Sequence, residues 1–227
     1  MEGIQEITAE VIDCRRCERL VAWREAMAAA PPARFRGQPY WARPVPGFGD
    51  RAARLLIVGL APAAHGGNRT GRMFTGDPSG DWLYRALHRA GFASQPSSVS
   101  GDDGLTLTDC YISAVVRCAP PDNRPLPEER DCCLPFLTRE MAALGQARVV
   151  LALGAFAWDG THRALQARGE PVPRPRPAFG HGAQAEVGRY RLLGSYHPSQ
   201  RNTSTGLLSE AALDEVVGTA RSLLAGT

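Results

Sequence analysis

The sequence predicts an α/β fold in which helices cover both faces of a parallel sheet. Four short apolar runs, each bounded by turn residues, have the character of buried strands. Segments with apolar residues at helical spacing lie between these runs. Strands that alternate with helices form βαβ units, and the sheet of such units is parallel and covered on both sides.

The four predicted strands span residues 54–60, 110–116, 148–154 and 190–196. Loops rich in glycine, proline and polar residues follow the first, second and fourth of them. In a parallel sheet these loops meet at the carboxyl ends of the strands, where ligands bind. The loop composition therefore predicts a binding site at this edge of the sheet, because such loops let the backbone approach a ligand.

Apolar residues at helical spacing predict helices over residues 81–90, 127–144, 156–168 and 207–225. Gly91 follows the first of these helices as a stop signal, and a proline followed by two glutamates opens the second. A further helix is predicted over about residues 1–30, with Cys14 and Cys17 on one face. Pro31 and Pro32 end it.

The composition predicts one globular domain over residues 1–227. A single large core is expected because 44% of the 227 residues are apolar and no linker of disordered composition divides the chain. No run of about 18 apolar residues is present, which argues against a membrane span. The polar N-terminus argues against a secretory signal, so we expect a cytoplasmic protein. We also expect it to act as a monomer. The net charge of +3 permits a nucleic-acid partner without requiring one.

Six cysteines without a secretory signal favour metal or redox chemistry over disulfide bonds. Cys14 and Cys17 have a chelate spacing, Cys118 follows the second strand, and Cys132 and Cys133 begin the next helix. Four of these thiolates would hold an iron–sulfur cluster or a zinc ion. The alternative is a set of buried free thiols. Spacing alone does not choose between the two adjacent cysteines.

Several polar and aromatic residues of the loops each have two interpretations. Asp77 is a candidate for stabilising a positive transition state or aligning a water, but its position also suits a helix N-cap. Phe74 is placed either to stack on a planar ligand or to fill the core. His197 is a candidate hydrogen-bond donor to a carbonyl oxygen, or a structural histidine. Asn123 is a candidate polar group of the site, or an ordinary turn residue.

The loops also carry several arginines, namely Arg69, Arg72, Arg117, Arg124 and Arg201. Together they indicate either a phosphate-binding stripe or a solvated rim. The sequence contains no Walker loop, no dinucleotide-binding Gly-x-Gly-x-x-Gly after the first strand and no Gly-x-Ser-x-Gly elbow. Nucleotide-dependent and serine-hydrolase chemistry are therefore disfavoured.

The loop sequences resemble the motifs of a known family. Residues 59–66, 68–72 and 74–77 resemble the first motif of uracil-DNA glycosylases. Residues 195–199 resemble the second motif of that family, which enters DNA. The order and spacing of the motifs make the resemblance specific.

The cysteines narrow this resemblance to one branch. Cys14-x-x-Cys17, residues 117–124 and Cys133 resemble the branches of the family that carry a cluster. Residues 39–50 are similar to family 5, also called type B. The resemblance covers nearly the whole chain.

The resemblance implies one domain, a three-layer α/β/α sandwich with a central four-stranded parallel sheet. It also implies a structural [4Fe–4S] cluster at the N-terminal helix of about residues 1–30. The cluster ligands would be Cys14, Cys17, Cys118 and Cys133. The implied activity is hydrolysis of the N-glycosidic bond of uracil in DNA, after the nucleotide is flipped out of the duplex.

The resemblance also assigns roles to the loop residues. His197 would reach a base carbonyl, Phe74 would stack on the base, and Asp77 and Asn123 would lie nearest the sugar and the attacking water. The residues expected to contact the base are Gly59, Ala61, Pro62, Ala63, Phe74 and Ala114. The residues expected to contact DNA are Arg69, Arg72, Arg124, Ser199, Gln200, Arg201 and Asn202.

Two departures from related branches shape the expected specificity. Ala114 stands where those branches carry an asparagine that reads the uracil edge, so a wider range that includes hypoxanthine is expected. Residues 61–64 lack the carboxylate or asparagine that other branches place after the first strand, which leaves Asp77 as the best candidate for the catalytic carboxylate.

No lysine lies in these loops, so a monofunctional enzyme is expected. Residues 199–202 lack an apolar wedge, and a polar filling of the DNA gap is expected.

Two other functional classes remain as alternatives at this point. One is a non-catalytic nucleic-acid-binding module with a structural iron–sulfur or zinc site. The other is an iron–sulfur redox protein, although the sequence shows no feature that indicates electron transfer. A substitution of Asp77 separates the enzyme from the binding module, because only base release depends on that carboxylate.

Overall fold

The structure is a computed structural model that describes residues 3–226. A sheet of six strands lies at the centre of this part of the chain. The strands are β1 (Phe48–Gly49), β2 (Leu55–Gly59), β3 (Cys110–Ala114), β4 (Val149–Leu153), β5 (Gln184–Val187) and β6 (Tyr190–Ser195). Their order across the sheet is β1-β3-β2-β4-β6-β5.

The four predicted strands are confirmed as the parallel centre of the sheet, formed by β3, β2, β4 and β6. The sheet itself is larger than the four strands expected, because β1 and β5 pair antiparallel at its two edges. β1 has only two residues, and β5 is largely solvent-exposed. Neither edge strand forms an apolar run that periodicity could detect.

Helices cover both faces of the sheet, which confirms the three-layer α/β/α architecture. The helices of the described residues are α1 (Ile4–Asp13), α2 (Glu18–Ala29), α3 (Gly67–Thr70), α4 (Pro78–Arg89), α5 (Pro127–Ala143), α6 (Ala155–Ala167), α7 (Gln200–Ser204) and α8 (Glu210–Ala225). Two short 3-10 turns, Ala33–Phe35 and Pro121–Asn123, lie in the loops. No helix within residues 3–226 combines the length and the hydropathy needed to cross a lipid bilayer.

Alternate residues of the strands build the two hydrophobic cores. Leu55 and Ile57 of β2 pack with α4 and α8, whereas Leu56 and Val58 pack with α5 and α6. All five residues of β2 are buried, as expected for a strand covered on both faces. The sheet is therefore a rigid base for the loops that leave its carboxyl edge.

The predicted single helix over about residues 1–30 is wrong in one respect, because the chain breaks into α1 and α2. Residues 1 and 2 lie outside the described residues. Cys14 is extended, with φ −67° and ψ 131°, and Cys17 is the N-cap of α2. Between Ile12 and Leu20 the two cysteines are the only apolar residues, so the helix has no packing reason to persist. The cysteines therefore lie in a turn and not on a helix face.

Candidate active site

A cavity of about 780 Å³ lies at the carboxyl ends of the parallel strands, where the sequence predicted a site. The loops after β2, β3 and β6 form its walls. Ten of the predicted site residues line it: Ala61, Pro62, Ala63, Phe74, Asp77, Asn123, His197, Ser199, Gln200 and Arg201. Most of the predicted base-contacting and catalytic residues are thus brought together in one place.

The Phe74 ring forms one wall of the cavity and is held by two glycines. A Cβ atom on Gly59 would lie 2.8 Å from Phe74 Cζ, and one on Gly80 would lie 1.8 Å from the Phe74 carbonyl oxygen. Only glycine fits at either position. Phe74 itself has φ +53°, a left-handed conformation that costs a non-glycine residue about 1 kcal/mol or more. Close packing against the glycines therefore fixes the ring despite local strain.

Ala114 and Gly59 lie behind this wall and do not line the cavity. They are register partners in the parallel β2–β3 pair, and both are buried. Ala114 packs in the same core as Phe74. A longer side chain at position 114 would have to enter the space around the Phe74 ring. The size of this residue therefore affects the shape of the cavity wall that Phe74 forms.

Asp77 serves as the N-cap of α4 and also lines the cavity. Its Oδ1 accepts hydrogen bonds from the backbone N–H groups of Ser79 at 2.9 Å and Gly80 at 3.1 Å. Its Oδ2 lies against Gly66, where a Cβ atom would approach to 2.0 Å. Burial raises the pKa of Asp77, while the two backbone N–H groups lower it. The cap interpretation is confirmed, and it leaves one carboxylate oxygen free of the cap and rigidly held.

His197 lies beside Phe74, with ring centroids 5.8 Å apart and an interplanar angle of 31°. Its Nδ1 is buried and has no hydrogen-bond partner among the described residues, so Nε2 is the ring nitrogen available to a ligand. Burial lowers the pKa of His197 to about 4. The imidazole is therefore neutral near pH 7 and can donate one N–H to a carbonyl oxygen.

Asn123 reaches the cavity from a strained turn. Asp122 and Asn123 have φ values of +53° and +55°, and Asn123 is exposed at the cavity rim. Asparagine and aspartate adopt this left-handed conformation more readily than other non-glycine residues. The turn interpretation and the site interpretation of Asn123 thus hold together, because the turn directs the residue to the rim.

The loop after β6 presents some predicted DNA-contacting residues and turns another inward. Ser199 is the N-cap of α7, and Gln200 and Arg201 are exposed at the cavity rim. Asn202 donates from Nδ2 to the His197 carbonyl oxygen at 2.8 Å and is not a lining residue. Asn202 therefore supports His197 in this structure.

The prediction that Arg72 contacts DNA is wrong. Arg72 is 5% exposed, and its Nη2 donates at 2.6 Å to both Asp103 Oδ1 and Ser98 Oγ. Arg117 is likewise buried, in an ion pair with Glu140. Composition cannot separate a buried, paired arginine of a loop from an exposed one, because both occur next to glycine and polar residues.

The other predicted arginines lie nearer the surface. Arg124 and Arg201 are exposed, and Arg69 is half-buried. Arg69 donates from Nε to the His65 carbonyl oxygen at 2.9 Å and from Nη2 to the Gly76 carbonyl oxygen at 3.1 Å. Arg69 thus braces the loop after β2 in addition to carrying charge at the rim.

Some lining residues are not among the predicted site residues. Arg34 and Phe35 of the first 3-10 turn line the cavity, together with His65, Met73 and Ser79. The segment from residue 33 to residue 50 is rich in arginine and aromatic residues, a composition that suits a nucleic-acid contact. That signal could have identified Arg34 and Phe35.

Five of the six cysteines gather on the side of the molecule where α1 and α2 meet α5, whereas Cys110 is buried in β3. Cys118 follows β3, and Cys132 and Cys133 lie in α5. Burial and the neighbouring thiols of Cys132, Cys118 and Cys14 raise the pKa of Cys17. Within residues 3–226, however, no three or more His, Cys, Asp or Glu side chains come together in the arrangement of a metal site.

Two arginines donate hydrogen bonds to these sulfurs. Arg24 is 1% exposed, its Nη1 donates to Cys118 Sγ at 2.9 Å, and no carboxylate of the described residues pairs with it. Arg16 donates from Nε to Cys14 Sγ at 3.4 Å. A buried guanidinium is costly without a negative partner, and thiolates supply that charge. The chemistry of this donor set therefore fits an anionic metal–thiolate group.

Comparison with known proteins agrees with the geometry. The family model of the uracil DNA glycosylase superfamily matches residues 46–221. The type-5 uracil-DNA glycosylase of Mycobacterium tuberculosis is 52% identical over 223 residues, covering 97% of this chain and 82% of that protein. The type-5 enzymes of Thermus thermophilus and Pyrobaculum aerophilum are 49% and 45% identical, covering 97% and 91% of this chain and 96% and 87% of theirs. The chain therefore belongs to the uracil-DNA glycosylase superfamily, in its type-5 branch.

Proposed function

We propose that this chain hydrolyses the N-glycosidic bond of uracil in DNA, with the target nucleotide flipped into the cavity, and leaves an abasic site. The observation that carries this proposal is the placement of one fixed carboxylate oxygen of Asp77 in the same cavity as the Phe74 ring and the neutral His197. The names of the relatives, all type-5 uracil-DNA glycosylases, support it.

The charge requirements of the reaction match these groups. Cleavage of the C1′–N1 bond leaves its electron pair on the base and develops positive charge on the sugar. A carboxylate near the sugar stabilises that charge, most effectively in a water-poor site where it needs no reorganisation. Asp77 fits because its cap bonds hold it in place. Water adds its oxygen to C1′ and passes one proton to Asp77, and the departing base takes its proton from solvent.

Recognition of the base falls to groups on the opposite wall. Phe74 stacks on the base, and His197 donates from Nε2 to a base carbonyl oxygen on which negative charge develops. The backbone of residues 61–63 contacts the base edge, and Asn123 positions the water or the sugar. His197 suits this role because burial keeps it neutral, and a neutral imidazole donates without adding a charge that must be neutralised.

We infer that bases other than uracil are also released. Ala114 carries no hydrogen-bonding group and lies behind the Phe74 wall, so no side chain from this position reads the base edge. A polar reader rejects wrong bases far more strongly than an apolar surface does. Hypoxanthine and other deaminated bases are therefore expected substrates.

The expected enzyme is a monofunctional hydrolase of one domain that acts as a monomer. The whole chain contains 26 arginines and no lysine. A lyase that cleaves the DNA strand through a Schiff base uses an amine, for which lysine is the usual side chain. Base release without strand cleavage follows from this composition.

A [4Fe–4S] cluster held by Cys14, Cys17, Cys118 and Cys133 completes the proposal. Cys133 is favoured over Cys132 because it is buried, and its Sγ accepts a hydrogen bond from the Arg117 backbone N–H at 3.3 Å. When bound, the cluster would cross-link the α1–α2 turn to α5 and to the loop that carries Asn123. Its role is therefore structural. Iron analysis and a brown colour test this assignment, because a zinc site is colourless.

The function is tested with duplex oligonucleotides that carry one uracil or one hypoxanthine. After incubation with purified protein, alkali breaks the strand at any abasic site. Breaks at both bases support the broad specificity, whereas breaks at uracil alone contradict it. Absence of breaks with intact, DNA-binding protein would contradict the glycosylase and favour the non-catalytic binding module.

The Ala114→Asn variant sharpens the test of specificity. Asparagine at this position would extend into the space around the Phe74 ring and bring an amide toward the uracil edge. We expect the ratio of uracil to hypoxanthine release to rise about tenfold or more, since unpaired polar groups reject the wrong base. An unchanged ratio, with a folded variant that still releases uracil, would contradict the role given to Ala114.

A further inference from the structure

A compact basic feature forms one edge of the cavity mouth and has no role in the chemistry described above. Its members are Arg34, Phe35, His65 and Arg69, which we call the arginine lip. The Phe35 ring contacts both guanidiniums, with Arg34 Cζ 4.7 Å and Arg69 Cζ 4.5 Å from the ring centroid. The His65 ring lies 5.8 Å from the Phe35 ring. The lip is thus a packed unit and not a set of independent surface side chains.

Hydrogen bonds fix the inner part of the lip. Arg69 donates to the backbone carbonyl oxygens of His65 and Gly76 and, from Nη1, to Gln38 Oε1 at 3.1 Å. The Tyr40 hydroxyl hydrogen-bonds His65 Nδ1 at 2.9 Å. Because Nδ1 is engaged, Nε2 is the ring nitrogen of His65 that remains for a ligand. Arg69 and His65 are therefore held in place beside Arg34, which is exposed.

The charge of the lip is not neutralised by the protein. No carboxylate of residues 3–226 forms an ion pair with Arg34 or Arg69, although most other arginines of the described chain are paired. Examples of the paired kind are Arg54 with Asp109 and Arg89 with Asp214. Burial and the two lip arginines lower the pKa of His65, which keeps it neutral. Two unneutralised guanidiniums side by side favour an anionic ligand.

The position of the lip indicates which anion it binds. Arg34, Phe35 and His65 line the cavity, and His65 precedes Gly66, against which Asp77 Oδ2 lies. If Asp77 faces the sugar, as the proposed function holds, the groups next outward from it in DNA are the backbone phosphates. Guanidinium and imidazole N–H groups are common donors to phosphate oxygens.

We propose that the arginine lip binds a phosphodiester adjacent to the flipped nucleotide and so holds the DNA backbone at the cavity mouth. This inference rests on the proposed function for the identity of the ligand. The lip contacts the DNA backbone and not the base, so it contributes to the affinity for DNA and to the position of the sugar. It carries no base specificity.

The test compares Arg34→Gln with Arg189→Gln as a matched control. Arg189 is also exposed and forms no ion pair within residues 3–226, but it precedes β6 at the opposite edge of the sheet. Binding is measured over a salt series with a duplex that contains a tetrahydrofuran abasic analogue, which cannot be turned over. Loss of one phosphate contact lowers the slope of log K against log salt by about 0.9.

We expect Arg34→Gln to raise Kd and lower the salt slope by about 0.9, while Arg189→Gln changes neither. In addition, replacing one phosphate beside the analogue with a methylphosphonate should weaken the wild-type protein but not Arg34→Gln. Equal Kd and equal salt slope in the two variants would overturn the proposal. So would a loss of affinity in Arg34→Gln that persists when either phosphate beside the analogue is neutralised. Base release is measured separately, so a lip that binds phosphate in a protein without glycosylase activity is distinguishable from failure of the lip.

Discussion

The two loops that supply most of the cavity differ in how they are held. The loop after β2, residues 60–77, is braced by buried polar contacts: Arg72 with Asp103, and Asn68 with the Arg24 carbonyl oxygen at 3.1 Å. The loop after β6, residues 196–209, presents exposed side chains on the short helix α7. Catalytic groups must be held close to their productive geometry, whereas phosphate contacts by exposed arginines depend mainly on charge. The first loop therefore holds the catalytic carboxylate rigidly, whereas the last loop presents exposed side chains that suit a contact with DNA.

The same contrast appears in the individual residues. In the first loop, Phe74 is strained and packed against glycines, and Asp77 is fixed by two backbone N–H groups. In the last loop, Gln200 and Arg201 extend into solvent at the rim. His197 is the exception, since its side chain is half-buried with Nδ1 shielded from solvent, and Asn202 holds its backbone. The boundary between packed groups and solvent-exposed groups thus passes just after His197.

Substitution of Arg72 by methionine should have the largest effect on stability. It removes the cation that pairs with the Asp103 carboxylate, and breaking a buried ion pair in this way costs about 3–5 kcal/mol. Chemical denaturation measures the loss. The matched change Arg201→Met, in the last loop, should alter the free energy of unfolding by no more than about 0.5 kcal/mol. Similar losses in both variants would contradict the contrast between the loops.

Substitution of His197 by leucine should lower the rate of base release and leave the affinity for DNA unchanged. Removing one donor to a developing oxyanion costs about 10²–10³ in rate. Single-turnover assays with a uracil duplex measure this change. His197→Gln, which keeps a donor, should recover part of the rate. If leucine and glutamine are equally slow, His197 acts by packing alone.

The pH dependence of base release should follow Asp77 and not His197. Burial raises the pKa of Asp77, so its ionised form is lost at a higher pH than for an ordinary aspartate. Burial lowers the pKa of His197 to about 4, so it stays neutral through most of that range. The single-turnover rate should therefore fall with acid at a pH set by Asp77. An acid limb near 6.5, the usual pKa of histidine, would show that His197 titrates instead.

The sequence predicts the parts of this molecule that follow from local pattern. The apolar runs of β2, β3, β4 and β6 are fully buried strands, and such runs are the strongest local signal in a chain. The loop residues Phe74, Asp77 and His197 were predictable as a group because parallel strands bring their carboxyl ends together.

Features that depend on distant contacts were not predictable in this way. Arg72 becomes a buried residue only because Asp103 and Ser98 approach from a segment about 30 residues away. The break of the N-terminal helix at Cys14 depends on packing against the rest of the chain. Phe35 joins the cavity only through its contacts with Arg69 and His65.

A crossed comparison of Asp77→Asn with Arg201→Gln tests the division between the two loops most directly. Single-turnover base release and Kd for an abasic-analogue duplex are measured for both variants. We predict that Asp77→Asn loses about 10²–10⁴ in rate with Kd unchanged, because a positioned carboxylate acts only in the transition state. Arg201→Gln should weaken binding and keep the wild-type rate at saturating protein. Equal loss of rate and affinity in both variants would contradict the assignment of chemistry to the first loop and DNA binding to the last.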